Sequence, residues 1–411
     1  SQVVCGHREV RIIFFLHASP PAGKMANRIE DEVFMRQALD LAREGTALTS
    51  PNPMVGALVV REAAIAGRGY HLFEGAKHAE ILALDQAGEQ ARGATLYLNL
   101  EPCCHEGRTG PCVERVIAAG IQRVVVAMPD PNPQVNGKSL ERLHKAGIEV
   151  TEGVGRAEAR KLNEAFARYI RSKKPLVTLK AGMTLDGKIA PPPGESENPS
   201  ALGASGASGG WITSEQARAH VQELRHAMDA IMVGVGTIIA DDPLLTDRTG
   251  RPRRRPLLRV IMDSRLRLSL DSRVARTAKN DVVVFCSFAE EKRKKEFEER
   301  GLRVEQVKLG TPDGRPDLPK IVERLGEMEI TSLLIEGGAL LNWTALATGA
   351  VDKVFLYYAP KILAGTGSVP FAAGAGFRRM SEAAQVKSLT VHRFDEDFAV
   401  EGYLRDPYEG A

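Results

Sequence analysis

Between Met54 and Ala146 short β-rich runs alternate with helix-length runs, and this rhythm restricts the possible fold more than any other feature of the chain. MVGALVV, ATLYLNL and QRVVVAM read as strands, whereas HAEILALDQAG, PCVERVIAAG and the stretch from about Lys138 to Ala146 are long enough for helices. Strand–helix alternation of this kind needs one sheet covered on both faces. Upstream, EDEVFMRQALDLAR at 30–43 spaces Val33, Phe34, Ala38, Leu41 and Ala42 along one helical stripe, with acids at its start where the helix dipole favours them. An αβα sandwich over residues 25–170 is the predicted first domain. Asn163 to Lys174 reads as helix and basic linker, after which PLVTLKAGMTLDGKIA opens a new series of strands, so 171–411 is predicted as a second α/β domain.

A chain of 411 residues exceeds one ordinary core, which agrees with two domains. Residues 1–24 read as a poorly ordered extension: the apolar run from Ile12 to Leu16 is too short for a secretory signal, and no stretch approaches the roughly 18 apolar residues of a membrane span. The net charge of +3 is a small difference between 55 basic and 52 acidic residues, so no broad polycation is available for nucleic acid, while small anionic ligands remain possible. Five cysteines, three of them between Cys103 and Cys112, form a poor disulfide pattern and a good metal or thiol pattern, which predicts a cytoplasmic protein.

His78, Ala79 and Glu80 open one helix, and the next strand ends at Leu100 just before Glu101, Pro102 and Cys103. Loops at the carboxyl ends of neighbouring strands meet at one edge of such a sheet. There one imidazole and two thiolates can hold zinc in a three-ligand, catalytic arrangement, and zinc makes water a nucleophile near neutral pH. H-x-E followed by P-C-x-x-C is the pattern of zinc nucleobase deaminases, in which the Glu carries protons and is not a ligand. The second cysteine here, Cys112, lies nine positions after the first instead of three. Spacing alone allows either Cys103 or Cys104 as its partner; Cys103, which directly follows the proline, is the choice, with Cys104 a bystander thiol. His105 is too close in sequence to complete a tetrahedron and reads as substrate-facing. A zinc-stapled interaction module would explain the cysteines but leaves the second domain without a role.

In the second domain, Gly234-Val235-Gly236-Thr237 and Gly337-Gly338 each follow an apolar strand and precede a helix, whose N-terminus can bind an anion. Two such loops favour a nucleotide cofactor, although no G-x-G-x-x-G fingerprint is present. RPRRRP at 251–256 reads as a solvated loop.

SPNPMVGALVV, HAE, EPCCHEGRTGPC and MPDPNPQVNGKSL together resemble the bacterial bifunctional riboflavin-biosynthesis family, a pyrimidine deaminase fused to a reductase, and WITS, ADDP and IEGG extend the resemblance through the second domain. The longer cysteine spacing is that family's own form. The resemblance implies His78, Cys103 and Cys112 as ligands of one Zn2+, Glu80 as general acid/base, and Asn52, His105 and Arg108 as lining of a pyrimidine and phosphate pocket. It implies a cytidine-deaminase-like first domain and a dihydrofolate-reductase-like second domain that uses NADPH to convert ribosyl to ribityl. Cofactor contacts would fall on Gly182, Trp211, Thr213, Thr237, Asp241 and Ser264, and on the turn formed by Gly338, Ala339, Leu340, Leu341, Asn342, Trp343 and Thr344. Substrate contacts would fall on Arg225, Leu245, Arg248 and Glu336, with Lys180 beside them; two guanidiniums match a ribosyl phosphate. The family also implies a homo-oligomer. One departure is the Gly/Ser-rich insertion at 194–210, which leaves the family's serine before Trp211 open between Ser196 and Ser208, or replaced by Gly209. The alternative reading, a nucleic-acid or nucleotide cytidine/adenosine deaminase with an accessory domain, calls for a basic, aromatic-studded groove, and aromatic residues are 5% here.

Overall fold

The computed structural model describes residues 22–75, 77–104, 110–192, 211–310 and 314–409, and for 22–27 the backbone alone. The insertion at 194–210 and most of the expected extension at 1–24 therefore lie outside the described residues. Two large sheets follow one another along the chain, and a two-stranded ribbon accompanies the second. The first unit comprises α1 (Ala22–Arg43), β1 (Gly56–Arg61), β2 (Ala64–Tyr70), α2 (Ala79–Ala87), β3 (Thr95–Leu98), α3 (Cys112–Ala118), β4 (Arg123–Val126), α4 (Lys138–Lys145), β5 (Glu149–Glu152), α5 (Arg156–Leu162) and α6 (Glu164–Ser172). Its strands lie in the order β2-β1-β3-β4-β5, with β1 antiparallel to both neighbours and β3, β4 and β5 parallel.

Alternate strand residues feed two cores, as the two-residue period of a strand requires. Val59, Leu98, Val124 and Val126 pack with Ala83, Val113 and Leu143 on the α2–α3–α4 face, whereas Leu58, Tyr97 and Val125 pack with Met35 and Ala159 on the α1–α5 face. Two glycines set how closely the helices approach: a Cβ on Gly56 would stand 2.1 Å from the Ala38 carbonyl oxygen, and one on Gly67 2.0 Å from that of Ala83. Close seating on Gly56 fixes the rotation of α1 about Ala38 and Ala42. It buries Met35 and Leu39 and leaves Val33, assigned to the apolar stripe from sequence, 49% exposed.

The second unit comprises β6 (Leu176–Thr184), β7 (Lys188–Ala190), α7 (Glu215–Ala227), β8 (Ala230–Gly234), α8 (Val235–Asp241), β9 (Leu258–Met262), α9 (Arg273–Arg276), β10 (Val282–Cys286), α10 (Glu291–Glu299), β11 (Leu302–Gln306), α11 (Leu318–Glu327), β12 (Ser332–Ile335), α12 (Ala339–Ala347), β13 (Lys353–Ala359), β14 (Val369–Pro370), β15 (Lys387–Phe394) and β16 (Asp397–Tyr403). Nine of its strands form one sheet, β11-β10-β9-β8-β12-β6-β13-β16-β15. The sheet is parallel from β11 to β13 and antiparallel at β16 and β15. β10 (VVVFC) is buried along its whole length, the signature of a parallel strand covered on both faces. α7 starts where the Ser214 hydroxyl caps the Ala217 N–H at 3.2 Å, with Glu215 in its first turn.

The predicted basic linker proves to be part of an interface between the units. Arg168 on α6 meets Asp352 at 3.3 Å, Lys174 meets Glu323 at 3.1 Å, and Lys161 meets Glu401 at 2.6 Å. The RPRRRP run is likewise not a solvated loop. Its three central arginines are half-buried: Arg253 donates to the carbonyls of His226 and Met228, and Arg254 and Arg255 both reach Ser50 of the first unit. Charge density alone suggested solvent exposure; the arginines instead donate to carbonyls and a hydroxyl brought to them by distant parts of the chain. Among the described residues no helix is long and apolar enough to cross a membrane.

Candidate active sites

At the carboxyl edge of the first sheet, α2 and α3 begin beside each other and bring their first residues to one point. His78 immediately precedes α2 in an extended conformation, Cys112 opens α3, and Cys103 lies in the loop after β3. His78 Nδ1 stands 3.1 Å from Cys112 Sγ and 3.6 Å from Cys103 Sγ, and the Cys112 N–H donates to Cys103 Sγ at 3.4 Å. Zinc bonds of about 2.0–2.3 Å at tetrahedral angles separate ligand atoms by about 3.5 Å, so this trio fits one ion. Cys104 faces the other way, into the core with Val113 and Leu140. Three protein ligands of this kind are the arrangement of a catalytic zinc.

The donors are electrostatically prepared for a cation. A hydrogen bond from Cys112, opposed by burial and aided by His78, holds the Cys103 thiol at about 4. The same bond pushes the Cys112 thiol up, and the bond to Cys103 raises His78. The Cys103–Cys112 bond thus favours a thiolate on one side of the pair, and metal binding, which needs deprotonated thiols and a neutral imidazole, is coupled to proton release. Glu80, in the first turn of α2 and only 3% exposed, has its carboxyl raised by burial. A buried acid of raised pKa beside a metal site is suited to take up and return a proton.

Asn52 reaches this edge from the loop before β1, its Nδ2 3.1 Å from His71 Nε2, and the His71 ring meets that of His78 edge-on at 5.3 Å. Burial, together with the charge of His78, holds His71 at about 4 and therefore neutral. Sequence reasoning passed over His71, because a single histidine ahead of the H-A-E triplet carries no spacing signal. It also passed over Asp130, in the loop after β4, which burial pushes up to about 7 close to Cys103. His105 and Arg108 lie outside the described residues.

In the second unit the carboxylate of Glu336, at the end of β12, accepts two parallel bonds from Arg225 on α7, at 2.7 and 2.9 Å, and lies 3.6 Å from Lys180 of β6. Burial would raise this carboxyl, yet the Arg225 and Lys180 charges outweigh it and hold it at about 2; burial lowers Lys180. Arg225 also donates to the Thr246 carbonyl at 3.0 Å, next to the buried Leu245, which leaves it two N–H groups for a ligand. Arg248 is exposed as a residue, but partial desolvation of its guanidinium, with the charges of Arg225 and Arg273, lowers its pKa. Arg273, at the start of α9, is a third guanidinium that no sequence motif marked.

Beside this cluster the two glycine turns touch: the Gly234 N–H donates to the Gly337 carbonyl at 3.0 Å, and a Cβ on Gly338 would stand 3.3 Å from Thr237 Oγ1. Gly182 of β6 abuts Thr213 in the same way, at 3.3 Å. These turns open onto the N-terminus of α12, the setting in which a nucleotide phosphate is bound by backbone N–H groups. The side chains of Ala339, Leu341, Asn342 and Thr344 turn into the protein, whereas Leu340 is exposed and Trp343 half-buried, its ring 5.2 Å from that of Phe377. Asn342 donates to the Phe371 carbonyl, and among the described residues its buried Oδ1 has no hydrogen-bond partner. Trp211 is exposed with Arg218 over its ring at 4.8 Å, Asp241 is exposed, and the Ser264 carbonyl accepts from Ser287 and Phe288. Glycine edges, a helix N-terminus and neighbouring cations fit a phosphorylated dinucleotide.

Two family models match the chain: the RibD C-terminal domain over residues 175–400, and the cytidine and deoxycytidylate deaminase zinc-binding region over residues 28–128. Riboflavin biosynthesis protein RibD of Actinobacillus pleuropneumoniae is 40% identical over 374 residues, which cover 91% of this chain and 95% of the relative. Among solved structures, Acinetobacter baumannii RibD is similar with a TM-score of 0.76 at 34% identity, covering 92% of this chain and 99% of that one. The diaminohydroxyphosphoribosylaminopyrimidine deaminase/5-amino-6-(5-phosphoribosylamino)uracil reductase of Thermotoga maritima is similar with a TM-score of 0.75 at 34% identity and the same coverage.

Proposed function

This chain belongs to the RibD family of riboflavin biosynthesis proteins, and from that premise we propose which of its residues perform the two reactions. It is a bifunctional enzyme: a zinc-dependent deaminase of 2,5-diamino-6-(5-phosphoribosylamino)pyrimidin-4(3H)-one and an NADPH-dependent reductase of the ribosyl chain to ribityl. The deaminase is assigned to residues 25–170 and the reductase to 171–411.

His78, Cys103 and Cys112 hold the zinc, which when bound supplies the Lewis acidity that makes water nucleophilic at neutral pH. Glu80 takes a proton from the attacking water at its carboxylate and returns it to the departing amine, so that one C–N bond is exchanged for one C–O bond and ammonia leaves. Asn52, held by neutral His71, orients the pyrimidine, and His105 and Arg108 complete the pocket. NADPH, when bound, would supply the hydride that reduces the ribosyl carbon. Gly182, Trp211, Thr213, Thr237, Asp241, Ser264 and the 338–344 turn bind that cofactor. Arg248 and the free N–H groups of Arg225 bind the ribosyl phosphate, next to Leu245. Lys180 holds a proton at Nζ beside Glu336, and the ribosyl oxygen takes up a proton as its bond to carbon opens.

The observation that carries this reading is the convergence of one imidazole and two thiols beside a buried, protonatable Glu80. Unpaired Cys103, Cys104, Cys112 and Cys286 support a reducing, cytoplasmic setting. A homo-oligomer without nucleic acid is supported by Leu389 and Val391, each 61% exposed on the edge strand β15, and by the near-balanced charge. The test is to incubate purified protein with the diaminopyrimidine ribosyl phosphate: ammonia release without NADPH, followed by NADPH oxidation once it is added, is the expected result. Absence of either half refutes the corresponding assignment.

A further inference from the structure

The loop that carries Asn52 is gripped by the second domain. Ser50, two residues earlier, donates from Oγ to Asp229 Oδ2 at 2.7 Å and accepts from Arg255 Nη2 at 3.0 Å. Asp229, just before β8, is 6% exposed and also accepts from the Thr331 N–H and Oγ1, both at 2.8 Å. Arg254 closes the grip from the other side: Nη1 donates to the Ser50 carbonyl at 2.9 Å, its backbone N–H donates to the Ala47 carbonyl at 2.9 Å, and its guanidinium lies 3.5 Å over the Phe73 ring. Phe73 in turn donates its N–H to the Leu48 carbonyl, and Asn52 donates its N–H to the Thr49 carbonyl. One arginine of the second domain therefore binds both segments that form this side of the first pocket, 47–52 with Asn52 and 71–73 with His71. A guanidinium stacked on a ring and bonded to a carbonyl is a rigid, directional contact.

We propose that Arg254, together with Ser50 and Asp229, is a positioning clamp through which the reductase domain fixes Asn52 in the deaminase pocket, so that pyrimidine binding at the first site depends on the second domain. The clamp rests on the reading of Asn52 as a pyrimidine contact. Arg254 touches no substrate; it sets the place of a group that does. A misplaced substrate contact weakens ground-state and transition-state binding alike, which raises KM and leaves kcat nearly unchanged.

Arg254→Ala and Ser50→Ala, made separately in the full chain, test this. Each raises the KM for ammonia release by about tenfold, the worth of one well-placed hydrogen bond, and changes kcat by less than about threefold. Arg254→Lys, which keeps one donor toward Ser50, falls between. One zinc per chain and NADPH-dependent reduction of the deaminated product are retained. Ser50→Ala removes a single hydroxyl and keeps the test alive if Arg254→Ala does not fold. An unchanged KM in folded variants overturns the clamp, as does an equal loss of both activities. Asn52→Ala separates the two failures. If it raises KM while the clamp variants do not, only the clamp falls; if it too leaves KM unchanged, the pocket assignment falls and the clamp with it.

Discussion

Replacing Glu336 with glutamine removes one charge from the centre of the reductase site and nothing from its shape. Glu336, Arg225 and Lys180 have side-chain exposures of 8%, 12% and 16%, so the two cations would be left buried without the carboxylate that bonds them. Breaking a buried pair in this way costs roughly 3–5 kcal/mol. The depression of the carboxyl from 4.5 to about 2 corresponds to about 3 kcal/mol by linkage, an independent figure of the same size. At a urea dependence of about 3 kcal/mol per molar, the midpoint of unfolding should drop by about 1 M. Both tryptophans, Trp211 and Trp343, lie in the second domain, so tryptophan fluorescence reports its unfolding selectively. The folded-state value lies below the unfolded one, so this stabilisation is complete above about pH 4.5 and disappears as the pH falls toward 2. Native protein should lose it in that window, and Glu336→Gln should have none to lose. Adding Arg225→Met to Glu336→Gln should recover part of the loss, because one of the two stranded cations is then gone. A Glu336→Gln midpoint within about 0.2 M of the native value would refute the electrostatic account of this site.

Glu80→Ala should keep one zinc per chain by elemental analysis and release no ammonia, because it removes the proton carrier and none of the ligands. Chelation should abolish ammonia release while leaving NADPH-dependent reduction of the deaminated product intact, as read by the fall in NADPH absorbance. Gly338→Val should raise the KM for NADPH about tenfold or more without affecting ammonia release. Its Cβ would already stand 3.3 Å from Thr237 Oγ1, and the branches would force the two glycine turns apart.

What the sequence disclosed and what it hid divide along physical lines. Alternation of strand and helix lengths is a local property, and the predicted elements from β1 to α4 are all present. The edge strand β2 between β1 and α2 is missed, because AIAGRGY is glycine-rich and mostly unburied and so shows no apolar alternation. His78 and Glu80 share one helix start and Cys112 opens another, so their approach follows from topology alone. The rotation of α1 was not legible, because it depends on which strand residue lacks a Cβ beneath it, here Gly56. His71, Asp130 and Arg273 were hidden because each reaches its site from a loop or a short helix with no periodicity to mark it. Arg225 was legible as a cation but not as a partner of Glu336, which lies 111 residues away along the chain.

The misread charges have a common cause and a common consequence. A basic run is ordinarily solvated, since isolated buried charges are costly, and only a partner from another part of the chain can reverse that expectation. Here partners come both from distant parts of the same domain, as for Arg253 with His226, Met228 and Asp247, and from the other domain. Lys353 bonds both Glu164 and Glu401 at 8%, 13% and 3% side-chain exposure, Arg168 meets Asp352, and Arg254 and Arg255 hold Ser50. An apolar seam of equal area would stabilise the chain at least as well, but it would tolerate sliding. Buried ion pairs contribute little net energy, yet lose much if displaced by an ångström or two, so they select one orientation. Because the loop that carries Asn52 is gripped by Arg254 and Arg255, a seam that selects one orientation suits the proposed clamp better than one that slides. The buried ion pairs at this boundary supply that selectivity beside apolar contacts such as that of Tyr408.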